Sequence, residues 1–386
     1  MVRAYQSFPT FDLAWATGGS TQAEPTAGEK VSGWSAGQKP PAKKVNWLLD
    51  APNKWLQVVM GMLIGKYKTL PAIGAGPGAG AIAWCPLTNQ WVCGPYGSAG
   101  GTGSAVFCSD GINWGVGATT ANVLPGSGLY DNTGRVIFSG KQNYYLVYAS
   151  APGSSFSTSN ACAEYLGKSA TKQTDDFIAA VALTASYVYV ASSVALAGAW
   201  TEYATPVNFV DIVYLTGTTW LGLGTNGTVY VSTDDCATWA SRGTPSSVIS
   251  ETVYESIEHD PSTGVLCVMA SNSGTGNVEI AYSVDLGVTW SLSTLEHSAA
   301  VASDGGKLRC LGGPIWMAAC GNVYVNGGTY SGLIFSIDKG VTWRAAFDEV
   351  DEARTLGQNI VDIEFNGYEW LAGYYQAELK GGPFPF

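Results

Sequence analysis

The octapeptide Ser283–Trp290, S-V-D-L-G-V-T-W, returns at Ser336–Trp343 as S-I-D-K-G-V-T-W. A third copy, Ser232–Trp239 (S-T-D-D-C-A-T-W), keeps Ser232, Asp234, Thr238 and Trp239 but places Cys236 where the others have Gly287 and Gly340. A fourth, Ser109–Trp114 (S-D-G-I-N-W), retains Ser109, Asp110, Gly111 and Trp114 with one residue fewer between Asp and Trp. A turn copied along a chain implies a structural unit copied with it, and that constrains the fold more than length does.

The residue types describe a tight turn between two antiparallel strands. Asp285 and Asp338 fold a carboxylate back onto backbone N–H groups of the same turn. Gly287 and Gly340 supply the positive φ that a side chain resists. Thr289 and Thr342 enter the next strand, and Trp290 and Trp343 bury a large flat surface against a neighbouring unit. The pattern resembles the Asp-box, the BNR repeat of sialidases and many other β-propellers. That resemblance implies a turn at the outer edge of a blade that carries architecture and no chemistry.

Taking Trp114, Phe156, Trp200, Trp239, Trp290 and Trp343 as equivalent corners gives intervals of 42, 44, 39, 51 and 53 residues, the period of a four-stranded blade at about 40 to 50 residues. The clearest unit reads as strand Phe209–Leu215, a turn at Gly217, strand Trp220–Gly224, the turn Asn226-Gly227, strand Thr228–Ser232, and then the octapeptide. Beyond the sixth corner, Ile360–Phe365 and Trp370–Tyr375 flank Asn366-Gly367 and begin a unit that the C-terminus leaves short. A strand from before the first unit, within Lys66–Ile73, is expected to complete it and remove an open edge. The expectation is an all-β chain, a β-propeller of seven four-stranded blades, with six as the alternative. It occupies residues 81–386, after a Gly-rich linker at 69–80 and a separate segment at 1–68.

Composition agrees with this reading. With 46% hydrophobic residues, 49 Gly and 13% charged residues, the chain describes a turn-rich, well-packed β protein. Eight Lys or Arg against four acids give residues 1–68 a charge of +4, and eleven against 26 give the remainder −15. An acidic body argues against a nucleic-acid groove. No run of about 18 apolar residues suggests membrane insertion, and Met1–Leu13, broken by Arg3, Gln6, Pro9 and Asp12, does not read as a signal peptide. The eight cysteines (Cys85, Cys93, Cys108, Cys162, Cys236, Cys267, Cys310 and Cys320) form no C-x-x-C pair. Buried free thiols are expected rather than zinc ligands or disulfides.

The leader differs from the rest. Val45, Leu48 and Leu49, then Trp55, Val58, Val59 and Met62, recur at helical spacing after Pro41 and Pro52 and predict a short helical hairpin or kinked helix. Its segment Gly33, Trp34, Gly37, Pro40, Pro41, Asn46 and Trp47, with Trp55 behind it, resembles the N-terminal region of tailed-bacteriophage tail, fibre and receptor-binding proteins. The resemblance covers about a sixth of the chain. It implies a virion protein assembled in the host cytoplasm, docked on other tail proteins through residues 1–68 and present in several copies of a symmetric assembly. The propeller would then face a host-surface glycan or protein, or serve tail assembly.

Two other function classes are weighed against this. Sialidase chemistry needs three clustered arginines, a Tyr–Glu nucleophile and an Asp acid. Of Arg3, Arg135, Arg242, Arg309, Arg344 and Arg354, the first belongs to the leader and Arg242 and Arg344 follow turn tryptophans on outer strands. A glycan hydrolase of another type needs only two carboxylates, and Asp211, Asp362 and Glu364 fall on innermost strands, with D-I-V-Y and D-I-E-F placing the aspartates at corresponding positions. Satisfying the inner strands is the competing role for these acids. A non-catalytic carbohydrate-binding propeller is the third class, supported by loops rich in Tyr, Asn, Ser and Gly. His259 and His297 lie in no triad or metal constellation, the acid run Asp348, Glu349, Asp351 and Glu352 lacks calcium-loop spacing, and no nucleotide-binding glycine motif occurs. No catalytic residue, metal or cofactor is expected.

Overall fold

The computed structural model describes residues 68–69, 79–95, 102–108, 115–121, 125–130, 134–140, 146–149, 156–159, 166–172, 177–192, 200–272, 277–300, 306–325, 328–345, 360–366, 369–374 and 379–383. Residues 1–67 lie outside them, and with them the leader segment Gly33–Trp55 and its predicted helices. The turn residues Ser109, Asp110, Gly111 and Trp114 lie outside them as well.

Apart from one 3-10 turn at Pro245–Ser247, the regular structure described is all strand. The strands form seven sheets, I to VII in chain order, each built around an antiparallel four-stranded meander. Their first strands are Ala79–Cys85, Pro125–Tyr130, Leu166–Lys172, Phe209–Thr216, Val253–His259, Lys307–Gly312 and Ile360–Phe365. In sheets I to VI the fourth strands begin at Gly115, Phe156, Thr201, Ala240, Ser291 and Thr342, each within one residue of its corner. Sheet VI also gains Thr294–Leu295, parallel to its fourth strand, and Ser298–Ala300 beside its long second strand, Ile315–Val325.

Sheet VII draws on both ends of the chain. Its order places Lys68–Thr69 beside Leu379–Pro383, then Glu369–Tyr374 and Ile360–Phe365. The short N-terminal strand runs antiparallel to the C-terminal one, Lys68 opposite Gly381 and Thr69 opposite Lys380.

Burial is greatest on the second strands and least on the fourth. Second strands are near-continuous apolar runs, F-I-A-A-V-A, T-W-L-G-L-G and L-C-V-M-A-S, buried on both faces because a sheet stacks on each side. Fourth strands such as Thr201–Ala204 and Ala240–Gly243 are largely exposed. The core is a series of seams. Ala179, Val181 and Val190 of sheet III meet Phe209, Trp220 and Cys236 of sheet IV. Leu221 and Leu223 meet Leu266, Val268 and Trp290 across the next seam, and Cys267, Met269 and Ile280 meet Trp316, Ile334 and Trp343 across the one after. Burying an aromatic this completely contributes about 1.5 to 3 kcal/mol. The cysteines described (Cys85, Cys93, Cys236, Cys267, Cys310 and Cys320) are free, and all but Cys310 are buried. Burial pushes the Cys320 thiol up to about 12.

Three octapeptides adopt one geometry. Ser283 Oγ donates to Asp285 Oδ1 at 2.7 Å and accepts the Gly287 N–H at 2.8 Å. The carboxylate then accepts the Thr289 N–H at 2.9 Å and the Thr289 hydroxyl at 2.6 Å. The same bonds join Ser336, Asp338, Gly340 and Thr342, and Ser232, Asp234, Cys236 and Thr238. Two consecutive residues take positive φ: Leu286 and Gly287 at 56° and 87°, Lys339 and Gly340 at 65° and 81°. Asp235 and Cys236 do the same at 52° and 74°, so Cys236 holds a conformation that glycine adopts more easily. Trp290 and Trp343 donate their indole N–H to Gly287 O and Gly340 O at 3.1 and 2.9 Å. Trp239 is only half-buried, against an edge of Phe209.

These turns also lock sheet to sheet. Arg242 at the end of sheet IV donates to Leu286 O, and Ser293 and Thr294, just after sheet V, donate to Gly340 O and Val341 O.

The two glycines of the turn differ in the room around them. A Cβ at Gly340 would overlap Cys267 Sγ, whereas one at Gly287 would stand 3.2 Å from Leu266 Cδ1. Gly340→Ala should therefore cost about 2 to 4 kcal/mol in urea unfolding and Gly287→Ala about 1 to 2, strain and overpacking adding only at the first. The Thr289 hydroxyl, then the Thr289 N–H, with Ser283 and the Val288 N–H, hold the Asp285 carboxyl at about 2 against an ordinary 3.8. A depressed folded value means that the contribution is complete above 3.8 and is lost as pH falls through about 2. Carboxyl NMR titration should show Thr289→Val returning Asp285 toward 3.8.

Candidate functional site

Each first strand bonds along one edge to the second strand of its own sheet and turns its other edge toward neighbouring first strands. The first strand of VII also meets that of I. Backbone N–H groups on such an edge need acceptors other than a ladder partner. The sequence provides them in a set pattern. Register shifts fall between Ala79 and Ala81, Pro125 and Ser127, Phe209 and Asp211, Tyr254 and Ser256, and Ile360 and Asp362. Each is a bulge that re-aims the residue after it.

At four of these positions a side-chain oxygen accepts an N–H from the next first strand. Ser127 Oγ takes Ser169 N–H at 3.1 Å, Asp211 Oδ2 takes Ile257 N–H at 3.0 Å, and Ser256 Oγ takes Leu308 N–H at 3.2 Å. Asp362 Oδ2 takes Ile82 N–H at 2.7 Å, joining the last sheet to the first. The aspartates also accept from their own strands, Ile212 N–H at 2.9 Å and Ile363 N–H at 2.8 Å. The donors fix the equivalent residue of every sheet: Ala81, Ser127, Lys168, Asp211, Ser256, Lys307 and Asp362. The ring reads Ala, then Ser-Lys-Asp twice.

Both lysines address the aspartate that follows them. Lys168 Nζ lies 3.5 Å from Asp211 Oδ2 and donates to the carbonyls of Glu255 and Gly306, tying sheet III to IV, V and VI. Lys307 Nζ lies 2.5 Å from Asp362 Oδ1. Burial pushes the Lys307 ammonium down and the Arg309 charge adds to this, while Asp362 opposes both.

Two residues further along, a second tier crosses three sheets. Arg309 of VI donates to Glu258 of V at 2.7 Å and to Glu364 of VII at 2.9 Å, and its Nε donates to Ile363 O at 3.1 Å. Each glutamate folds its other oxygen onto the next backbone N–H of its own strand, His259 or Phe365. The corresponding residues of sheets I to IV are Ala83, Leu129, Ala170 and Val213, so charge occupies one side only. Burial raises the Glu258 carboxyl despite Arg309 beside it. Burial works against the Arg309 charge too, but Glu364 and Glu258 more than offset it. Burial pushes the His259 imidazole down at the end of the same strand.

The carboxylates that a two-carboxylate hydrolysis would use lie on first strands, Asp211 on that of sheet IV and Asp362 and Glu364 together on that of sheet VII, with sheets V and VI between them. All are committed to backbone N–H groups and cations. Asp211 Oδ2 alone accepts from Ser256 Oγ at 2.9 Å and from Ile257 N–H, with Lys168 adjacent. A carboxylate engaged in this way holds strands together. Of the described arginines, Arg309 alone lies on a first strand; Arg344 pairs with Glu296 at 2.8 Å on the exposed fourth strand of VI. The octapeptide residues lie on the turns joining third to fourth strands and contribute nothing to the ring. Sequence reasoning identified Asp211, Asp362 and Glu364 but missed Ser127, Lys168, Ser256, Lys307, Arg309 and Glu258. Counting back from each corner to a strand start would have aligned them.

No protein-family model matches the chain, and no curated protein is similar to it in sequence. Solved structures are similar. YCF48, solved bound to a D1 peptide, is 12% identical at a TM-score of 0.56, over 82% of this chain and 94% of its own. Virginiamycin B lyase from Staphylococcus aureus is 9% identical at a TM-score of 0.57, over 82% and 99%. Hydrazine synthase from Kuenenia stuttgartiensis is 10% identical at 0.52, over 64% and 73%. The fold is a β-propeller. At such identities the likeness extends to the fold alone.

The ring sets an order of stabilities. Asp362→Ala leaves Lys307 and two edge N–H groups without their acceptor and should cost about 3 to 5 kcal/mol. Ser256→Ala removes one neutral acceptor and should cost about 1 to 2 kcal/mol, both read from urea unfolding followed by tryptophan fluorescence.

Proposed function

We propose that this chain is a non-catalytic, structural β-propeller of a tailed-phage particle, anchored by residues 1–68 and displaying the propeller for host attachment or tail assembly. The observation that carries the non-catalytic part is the saturation of Asp211, Asp362, Glu258 and Glu364 by backbone N–H groups, serines and cations. Those contacts leave the inner carboxylates working as clamps. The particle role is supported by the leader segment around Gly33, Trp34, Gly37, Pro40, Pro41, Asn46, Trp47 and Trp55.

On this reading the seven sheets are seven blades, with Lys68–Thr69 closing the last of them, and the octapeptides are Asp-box turns on its outer rim. The leader docks on other tail proteins, and the copy number follows the symmetry of the tail. The outward surface then meets a glycan or protein of the host, or another tail component.

The test is to delete residues 1–66, keeping the closing strand, and to assay purified particles by mass spectrometry. The full chain should be retained and the shortened one lost, while the shortened protein alone keeps its unfolding midpoint. Retention of the shortened chain would refute the anchor. Turnover of host surface glycan by the purified protein, abolished in Asp211→Asn or Asp362→Asn variants that stay folded, would refute the non-catalytic reading.

A further inference from the structure

The octapeptide turn of sheet V differs from its two neighbours in what it shows to solvent. At the second, fourth and sixth positions sheet IV has Thr233, Asp235 and Ala237, and sheet VI has Ile337, Lys339 and Val341. Sheet V has Val284, Leu286 and Val288, which are 68%, 37% and 49% exposed. Leu286 also stands at a φ of 56°, a left-handed conformation that Asp tolerates better than a bulky aliphatic side chain. Neither burial nor backbone preference selects leucine there. Exposed aliphatic side chains held at a conformational cost point to a contact made outside the chain.

Two cations flank this turn. The Arg242 stem crosses it: a Cβ at Gly287 would stand 3.8 Å from Arg242 Cγ, and Arg242 Nε donates to Leu286 O. That bond fixes the guanidinium and leaves its two terminal nitrogens without a carboxylate among the described residues. Lys339, exposed on the next turn, has no ion-pair partner among them. Asp285 and Asp338 are engaged within their own turns. The patch therefore suits a carboxylate set beside an aliphatic side chain. Nucleic acid or an anionic bilayer would match the cations but not the acidic body, which carries eleven basic residues against 26 acids beyond residue 68. The opposite end of this chain carries the complement. In an antiparallel meander the first-to-second and third-to-fourth turns lie at one end, and the entries to the first strands lie at the other. At that second end Glu251 leads into the first strand of V. Glu279 accepts its N–H, its carboxylate has no cation among the described residues, and Val253 is 37% exposed.

We propose that the octapeptide turn of sheet V, with Arg242 and Lys339 beside it, binds the Glu251–Val253 edge of a second copy of this chain. The two surfaces lie at opposite ends of sheet V, so the contact is head-to-tail and leaves one of each free for further copies. It needs neither the leader nor a tail, and it stands or falls apart from the particle reading.

Sedimentation velocity of the full chain across a range of concentrations tests the contact. The wild type should pass from monomer to larger species as concentration rises, and added salt should weaken the association. Val284→Thr, Leu286→Asp and Val288→Ala together give the turn the residues that sheet IV already holds in this geometry. That variant should keep or raise its unfolding midpoint and associate at least about thirtyfold more weakly. Arg242→Glu and Glu251→Arg should each lose association alone and regain it when the two variants are mixed, as only a contact between those two sites allows. A wild type that stays monomeric would overturn the proposal, as would binding of the turn to phosphatidylglycerol vesicles in its place. So would association that survives the triple change, or a mixture of the two charge variants that stays monomeric.

Discussion

The unpaired inner edge of each first strand is the constraint on which this molecule turns. A meander satisfies its own ladder everywhere except at its two outer edges, and the edges turned inward converge where little water can reach them. The chain answers in four of the seven sheets with a side chain, aimed by a bulge, that accepts an N–H from the sheet ahead. Asp serves two strands at once, through Ile212 and Ile257 or through Ile363 and Ile82. Ser serves one, and Lys serves none but restores the charge balance of the Asp beyond it. The geometry of the ring is thus set by hydrogen-bond supply as much as by apolar contact.

Outside the ring, the seams between sheets carry the apolar burial, and the octapeptide turns of sheets V and VI accept hydrogen bonds from the sheet before. Trp290 and Trp343 fill seams, while the backbone oxygens of their turns accept from the sheet before. One eight-residue unit therefore closes its own hairpin, fills a neighbouring core and docks on a neighbouring backbone. The Cys236 copy keeps the hairpin bonds and loses part of the burial, since Trp239 stays half-exposed.

The fold was legible because its signals are local. A turn that needs Ser, Asp, Gly, Thr and Trp at fixed spacing prints them in the sequence, and the corners at Trp200, Trp239, Trp290 and Trp343 announce the fourth strands. The strand that completes sheet VII was legible from the short last unit, and Lys68–Thr69 falls inside the window that the need for a partner defined. The ring was only partly legible. Asp211 and Asp362 share the local text D-I, so their equivalence shows in one dimension. Ser127, Lys168 and Lys307 share no text with them, and Ser256 shares only the I-E that also follows Asp362. They are alike only in being placed beside the next strand's N–H, a relation between sheets roughly 45 residues apart along the chain.

The two-residue strand Lys68–Thr69 has a mechanical consequence. Whatever precedes it in the chain is tethered to sheet VII, whose first strand is bridged to VI through Arg309 and Lys307 and to I through Asp362. A pull along the chain before Lys68 meets first the two-residue pairing with Leu379–Pro383, at the outer edge of that sheet and three strands from the bridged one, so this closure would part before the inner bridges took the load.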